Sequence, residues 1–198
     1  PSKAIANVCL SSRKDLRNAV VAARAAFEKW SAATAYNRSQ ILYRMAEMME
    51  GRKDQFISEL VLQGVDRKKA TVEVDLSIDR VIYFAGWADK INQVFGSVNP
   101  VATSHFNFSL MEPMGVVGLV APENSGLLGL VSSLCPILVS GNCAVVLASE
   151  KLPLCSITLA EVLVTSDVPE GVVNILTGKK EEITVSYTHL TLPTTSKV

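Results

Sequence analysis

The residues of this chain that could act as nucleophiles or metal ligands are few and widely spaced. There are four cysteines and two histidines, namely Cys9, Cys135, Cys143, Cys155, His105 and His189. No Cys-x-x-Cys pair occurs, so the spacing argues against a zinc site. Cys135 and Cys143 lie in apolar segments, where a cysteine usually behaves as a small buried hydrophobe. We therefore predict no metal site, and the free thiols favour a reducing compartment.

Three further residues that could take part in binding or catalysis follow short apolar runs in the second half of the chain. Asn124 comes after GVVGLVA, Glu150 after CAVVLA and Gly178 after VVNIL. Taken alone, Asn124 is typical of a turn and Glu150 of a solvated loop. If the runs are strands of one parallel sheet, however, all three residues lie at the edge where nucleotides bind.

The segments between those runs have the length and periodicity of helices. Leu127–Val139 and Leu154–Thr165 are predicted helices, so strand and helix alternate and favour βαβ units with a parallel sheet covered on both faces. The uncharged stretch from Ser125 to Ser149 is long enough to suggest a membrane span. Pro136 and the turn at Gly141 divide it, so we predict two shorter buried elements there instead.

The first half of the chain carries three helical patterns whose apolar stripes indicate core packing. A Ser12–Asp15 capping box opens the first. The second continues past Gly51 and stops at Gly64, and the third runs from Val74 to Ala88. Residues 106–110 then alternate apolar and polar side chains, which predicts an exposed strand with one apolar face and with His105 at the surface beside it.

Composition narrows the class of protein. Apolar residues make up 48% of the 198 and charged residues 19%, which is typical of one globular domain. Nineteen basic residues balance nineteen acidic ones, and no basic block stands out, so nucleic acid is not an expected partner. No charged-then-apolar leader is visible, and we expect a cytoplasmic protein with neither a secretory signal nor a membrane anchor.

Five segments together resemble one family. The runs EPMGVVGLVAPENSGLL, GNCAVVLASEKLPL and VPEGVVNILTG, in residues 112–178, resemble the cofactor-binding domain of the aldehyde dehydrogenase superfamily in order, spacing and turn residues. AARAAFEKW and YFAGWADKI are also similar to family segments. The resemblance implies that residues 1–183 form the amino-terminal part of that domain. The implied fold is α/β, with amino-terminal helices before a Rossmann-like parallel βαβαβ sheet, an incomplete aldehyde dehydrogenase fold.

The resemblance also implies a chemistry. The family oxidises small-molecule aldehydes to carboxylic acids with NAD or NADP. Asn124 matches the asparagine whose amide stabilises the oxyanion, and Glu150 matches the glutamate that binds the ribose hydroxyls. Pro122 and Gly178 match further positions of the cofactor site. The family's catalytic cysteine and glutamate lie downstream of residue 183, so we expect no aldehyde turnover by this chain alone.

Several positions at the implied site depart from the family pattern. Glu123 and Ser125 stand where bulky aromatics usually flank the asparagine, and Leu147 replaces a lysine that would contribute a hydrogen bond of about 1.5–3 kcal/mol. After Gly178, where the family usually has another glycine nearby, this chain has Lys179-Lys180-Glu181-Glu182. The departures resemble the second module of family-16-type proteins with two aldehyde dehydrogenase modules. They keep an alternative open, namely a catalytically degenerate module that serves in assembly or partner binding.

Two segments bear on assembly and on the limits of the domain. Residues 98–111 resemble the family's oligomerisation strand, which implies a homo-oligomer when the protein is complete. Residues 184–198 (TVSYTHLTLPTTSKV) are rich in threonine and break the helix–strand alternation. We interpret them, with His189, as a non-native tail; the alternative is a β-prone linker.

Overall fold

The computed structural model describes residues 4–183, and seven helices and five strands lie entirely within them. The helices are α1 (Arg13–Ser31), α2 (Ala35–Gly51), α3 (Lys53–Leu62), α4 (Arg67–Ala85), α5 (Ile91–Phe95), α6 (Leu128–Val139) and α7 (Leu154–Thr165). The strands are β1 (Ser97–Asn99), β2 (Asn107–Ser109), β3 (Val116–Val120), β4 (Cys143–Leu147) and β5 (Val173–Leu176). The predicted tail, residues 184–198, lies outside the described residues.

The centre of the molecule is a parallel sheet in the order β3-β4-β5. Every residue of β4 is buried, and since consecutive side chains of a strand point to opposite faces, both faces of the sheet must be covered. Helix α1 contacts all three strands and covers one face, while α6 and α7 cover the other. The predicted α/β class and βαβαβ core are confirmed.

The outer strands are less buried than the sequence suggested. The sequence predicts buried strands at 115–121 and 143–148, which is right for β4 and wrong for β3, whose residues are mostly half-buried, with Gly118 exposed. The residues of β5 are half-buried as well. Within residues 4–183 these two strands are the edges of the sheet, so each has a neighbour on one side only. An apolar run in the sequence predicts a hydrophobic strand. How much of that strand is buried depends on whether it lies at the centre or at the edge of the sheet.

The helices of the first half follow their apolar stripes with two differences, one of which is that the third predicted helix, α4, ends at Ala85 and not at Ala88. The capping box at α1 is present, with the Ser12 backbone N–H donating to Asp15 Oδ2 at 2.7 Å. The second predicted helix, expected to continue past Gly51, is instead two helices. The chain leaves helical geometry at Arg52 (φ −112°, ψ 15°), directly after glycine, whose helix propensity is poor. The predicted stop at Gly64 is confirmed by its φ of +95°.

Helices α2, α3 and α4 form an outer layer against α6 and α7. Arg38 of α2 binds this layer to the rest of the molecule. Its guanidinium donates to the carbonyl of Val139 at 3.0 Å, at the end of α6, and to those of Ser31 and Ala33 at the end of α1. One side chain therefore satisfies carbonyls at two helix ends that have no partner within their own helices.

The uncharged stretch consists of helix α6, a turn and strand β4, as predicted. Pro136 lies near the carboxyl end of α6. In the turn, Asn142 Oδ1 accepts hydrogen bonds from the backbone N–H groups of Met114 (2.6 Å) and Gly115 (2.9 Å), which fixes the approach to β3. Of the helices between residues 4 and 183, none is both long enough and apolar enough to span a bilayer.

Strands β1 and β2 form a separate antiparallel hairpin, in which Val98 pairs with Phe108. The strand predicted from the alternation at 106–110 is confirmed, and so is the surface position of His105. The apolar face of this strand is exposed to solvent. Phe106 is 73% exposed and Phe108 54%, and their ring centroids lie 5.5 Å apart. The apolar side chains of this hairpin are therefore not covered by the rest of the described chain.

Candidate functional site

Three loops meet at the carboxyl edge of the parallel sheet. They are residues 121–127 after β3, residues 148–153 after β4 and residues 177–179 after β5. Backbone hydrogen bonds carry the strand register into them, from Ala121 N–H to Leu147 O and from Ala148 N–H to Leu176 O, both 2.8 Å. All of the predicted site residues therefore lie at one edge of the sheet.

A cleft of about 200 Å³ opens at this edge between β4 and β5. Glu150 and Gly178 both line it, and the amino-terminal residues 8–10 form another wall. That wall is held by the Thr177 side chain, whose Oγ1 donates to the Cys9 carbonyl at 2.6 Å. The structure therefore brings together two of the four predicted site residues in one concave site.

Pro122 and Asn124 are at the same edge but do not line that cleft. Asn124 is exposed on a turn, with its amide open to solvent. Pro122 is half-buried against the first turn of α6, where a Cβ added to Gly129 would come within 2.3 Å of Pro122 Cγ. Glycine at 129 thus lets α6 start directly against the loop that presents Asn124.

The charges at the cleft are mixed. Glu150 is exposed, and its Oε1 accepts a hydrogen bond from the backbone N–H of Lys180. Lys179 also lines the cleft, and its Nζ lies 4.0 Å from Glu182 Oε1 in an exposed ion pair. The Glu150 carboxylate, which can accept hydrogen bonds from hydroxyl groups, therefore lies at the entrance of the cleft, and the Lys179 ammonium group lies nearby.

Glu123 connects the first loop to the second. Its carboxylate accepts hydrogen bonds from Ser149 Oγ (2.8 Å) and from the backbone N–H groups of Lys151 (3.1 Å) and Glu150 (3.2 Å). Burial opposes its ionisation, but these hydrogen bonds outweigh burial and hold the pKa of Glu123 below its ordinary value. The negative charge beside Asn124 is thus engaged with the β4–α7 turn.

Glu73 of α4 fixes the other side of the same loop. Its Oε1 accepts hydrogen bonds from Ser125 Oγ (2.7 Å) and from the backbone N–H groups of Leu127 (2.9 Å) and Leu128 (3.2 Å). Ser125 Oγ in turn accepts from Gly129 N–H at 2.8 Å. A carboxylate from a distant helix therefore occupies the amino terminus of α6, where helix geometry favours an anion.

Leu147, which the family resemblance would replace by a lysine, is 1% exposed and belongs to the hydrophobic core. A buried leucine side chain at the end of β4 has no hydrogen-bond donor and no charge with which to bind a ribose or a phosphate. The side chain contributes packing to the sheet and no contact to the cleft.

The cysteines do not form a reactive centre. Burial raises the pKa of Cys135 to about 12 and that of Cys143 to about 11, and it raises the pKa of Cys155 well above the ordinary range. These thiols stay protonated at neutral pH, whereas the thiolate is the nucleophilic form. Cys9 is exposed. Between residues 4 and 183, no group of three or more His, Cys, Asp or Glu side chains could hold a metal ion.

Two carboxylates at this site escaped the sequence reasoning. Glu73 lies more than fifty residues from the loop it holds, and no local pattern could have indicated that contact. Glu123 was noted only as an unusual neighbour of Asn124. The bond between Ser125 and Gly129 did have a signal, since a serine just before a helix commonly caps it.

Both the sequence and the fold of this chain are similar to those of known proteins. The sequence model described as the aldehyde dehydrogenase family matches residues 1–190. Cytosolic 10-formyltetrahydrofolate dehydrogenase of Xenopus tropicalis is 36% identical over 183 residues, covering 88% of this chain and 20% of that protein. The chain thus spans about a fifth of that relative.

Two solved structures show the same fold over a similar share of their length. The NAD⁺ complex of the Bacillus cereus aldehyde dehydrogenase has a TM-score of 0.86 at 28% identity and covers 90% of this chain and 37% of that one. Glyceraldehyde-3-phosphate dehydrogenase of Methanocaldococcus jannaschii, solved with NADP, has a TM-score of 0.87 at 28% identity and covers 93% and 41%.

Proposed function

The chain belongs to the aldehyde dehydrogenase family, and we propose that it is the amino-terminal part of an NAD(P)-dependent oxidoreductase that converts an aldehyde into a carboxylic acid. The observation that carries the proposal is the cleft in which Glu150 and Gly178 meet at the carboxyl ends of β4 and β5. Parallel α/β sheets bind nucleotides at that edge. The Bacillus cereus and Methanocaldococcus jannaschii proteins, which are similar in fold, were solved with NAD⁺ and NADP.

The residues of the cleft fit part of a dinucleotide. The Glu150 carboxylate, exposed at the entrance, would accept hydrogen bonds from the ribose hydroxyls. Gly178 lets the cleft wall pack closely against its neighbours, because a Cβ there would lie 3.0 Å from Ile183 Cδ1 and 3.3 Å from the Ser11 backbone nitrogen. The nicotinamide cofactor supplies the hydride acceptor when it is bound. The part played by this chain is to hold and orient it.

Asn124 would supply the oxyanion donor. Its amide is exposed on a turn fixed on one side by Glu123 and on the other by Ser125, so the donor is held in place before charge develops. The thiolate that attacks the aldehyde has no candidate among the buried cysteines, whose thiols are protonated. We propose that the nucleophile and the base belong to a part of the parent protein outside this chain.

Titration calorimetry of the 198-residue chain with NAD and NADP tests the cofactor proposal. We expect binding that is weakened about tenfold to a hundredfold by Glu150→Ala, because a hydrogen bond to a charged group contributes about 1.5–3 kcal/mol. Glu47→Ala, an exposed glutamate on α2 far from the cleft, is the matched control and should leave the affinity unchanged. No detectable binding at millimolar NAD or NADP would refute the proposal.

A second candidate is a binding module that keeps the fold after losing its chemistry. The specific observation that favours it is Leu147, a core residue where the family places a cofactor-binding lysine. If this candidate is right, the full-length protein has no aldehyde dehydrogenase activity with either cofactor. Turnover by the unmodified full-length protein would eliminate it.

We also propose a mode of assembly, a substrate class and a compartment. The open hairpin β1–β2 is proposed as a surface for homo-oligomer formation, since unpaired strand edges favour association. The substrate is proposed to be a small aldehyde and the compartment the cytoplasm. Placement in the two-module subgroup stays a prediction.

A further inference from the structure

We infer that Glu123 is a positioning residue for Glu150, because its carboxylate holds the β4–α7 turn that presents Glu150 at the entrance of the cleft. The inference rests on the proposed function, since the placement of Glu150 matters only if the cleft takes a nucleotide. Its consequence is that the unusual residue beside Asn124 supports the cofactor site instead of disrupting it.

Three donors of one turn converge on this carboxylate. Oε2 accepts from Ser149 Oγ at 2.8 Å and from Lys151 N–H at 3.1 Å, and Oε1 accepts from Glu150 N–H at 3.2 Å. Both oxygens are therefore engaged, and the backbone of Glu150 itself is one of the donors. A side chain 27 residues earlier in the chain determines where this backbone lies.

Ser149 extends the contact towards α7. It is 2% exposed, and while its hydroxyl donates to Glu123, its oxygen accepts the backbone N–H of Leu152 at 3.1 Å. The bonds therefore span the turn from Ser149 to Leu152, with Glu150 between them. A turn secured at both ends leaves Glu150 little freedom to move away from the cleft.

The charge on Glu123 is needed for this arrangement. Burial opposes ionisation, but the bonds from Ser149, Glu150 and Lys151 outweigh it and hold the pKa of Glu123 below its ordinary value, so the group is a carboxylate at neutral pH. Hydrogen bonds to an ionised acceptor are about twice as strong as those between neutral groups.

No other side chain of similar size could replace it. Glutamine has one acceptor oxygen, so its NH₂ group would face either the Glu150 N–H or the donors from Ser149 and Lys151. An aromatic side chain, which the family resemblance would place at 123, accepts none of the three bonds. The carboxylate is thus specific to the partners that this chain provides.

The experiment is an NMR pH titration of the 198-residue chain and of Glu123→Gln. In the wild type, the amide resonances of Glu150 and Lys151 should shift as the Glu123 carboxylate titrates. In Glu123→Gln that shift should become smaller, hydrogen exchange at both amides should rise about tenfold, and the NAD dissociation constant should increase. Because the carboxylate of Glu150 also lies beside these two amides, Glu150→Gln is titrated in parallel. The shift that persists in Glu150→Gln reports Glu123, and it decides the contact even if Glu123→Gln folds poorly.

Asp66→Ala is the matched control. Asp66 also accepts two backbone N–H bonds, from Lys68 (3.1 Å) and Lys69 (3.3 Å), but at the start of α4. It should lose stability locally and leave the amides of Glu150 and Lys151 unchanged. A general loss of stability would alter both variants alike, whereas positioning alters only the variant at 123.

The outcomes separate the inference from the proposed function. Amides of Glu150 and Lys151 that behave identically in the wild type and in Glu123→Gln overturn the inference even if NAD binds. A wild type that does not bind NAD while those amides respond overturns the proposed function and leaves the positioning of the turn established. Unchanged NAD affinity in Glu123→Gln, despite altered amides, overturns the role of Glu123 at the cleft.

Discussion

Single residues at the carboxyl edge of the sheet owe their behaviour to neighbours from other segments. Glu123 is an example, since the hydrogen bonds that outweigh its burial come from the turn after the next strand. A lowered pKa in the folded state means that the folded protein gains stability from the ionised group. The free energy of unfolding is therefore expected to depend on pH through Glu123, whether or not a ligand is bound.

Glu123→Gln should be less stable than the wild type at pH 7. The contribution of the carboxylate is complete above the unfolded pKa, about 4.3, and is lost as the pH falls through the lower folded pKa, because below it both states bind the proton. Thermal unfolding from pH 7 to pH 3 measures the difference, and we expect the gap between the two proteins to close at the acid end. A gap that stays constant over this range would contradict the assignment.

Leu147 supports a second prediction at this scale. The side chain is almost fully buried, so Leu147→Lys would place an ammonium group in the core without a partner and lower the free energy of unfolding by about 3 kcal/mol or more. Leu147→Met preserves volume and should cost less than about 1.5 kcal/mol. Denaturant unfolding compares the two. Equal stability of both variants would show that a lysine at 147 can reach the cleft after all.

Among the elements, α6 depends on a group outside its own sequence. Its first residues are capped by Glu73 from α4 and by Ser125, so the contact between α4 and α6 is polar at the end nearest the site. Helix starts leave N–H groups without partners, and a carboxylate satisfies them and interacts favourably with the helix dipole. The position of the loop that carries Asn124 therefore depends on the position of α4.

Glu73→Ala should lower the free energy of unfolding by about 1–2 kcal/mol, because it leaves the N–H groups of Leu127 and Leu128 without their acceptor. Hydrogen exchange of those two amides should rise, while amides in β4 keep their protection. Glu47→Ala, on an exposed face of α2, should change stability by less than about 0.5 kcal/mol. If Glu73→Ala and Glu47→Ala behave alike, Glu73 does not hold the start of α6.

At the scale of the whole molecule, the hairpin β1–β2 presents an open apolar surface in the described part of the chain. Phe106 and Phe108 are 73% and 54% exposed, with their rings tilted against each other at a centroid distance of 5.5 Å, and the strands pair only with each other within residues 4–183. Exposed apolar side chains on an open strand edge favour association with a second chain. That is the physical basis for the proposed homo-oligomer.

The double substitution Phe106→Ser with Phe108→Ser should weaken self-association at micromolar concentrations, as measured by sedimentation velocity. Val164→Ser is the control, since Val164 is 77% exposed but lies on α7 away from the hairpin. It should sediment like the wild type. A wild-type chain that sediments as a monomer at all concentrations tested would contradict this role of the hairpin.

The sequence by itself determined the elements of the second half and their order. Helix α7 has the bounds that its apolar pattern predicted, and α6, β4 and β5 differ from prediction by one residue at an end. It also placed Glu150 and Gly178 at one edge of the sheet, because parallel strands bring their carboxyl ends to the same edge. Periodicity within ten or so residues carries this information, and the resemblance to a family adds the roles.

Only the tertiary structure decided the rest. It divided the second helix at Arg52 and left β3 and β5 half-buried as edge strands. It also made Glu73 and Glu123 the two side chains that hold the loop of Asn124. The physical reason is that burial and side-chain hydrogen bonds depend on segments 26 to 55 residues apart in the chain, whereas sequence periodicity describes only neighbours along one element.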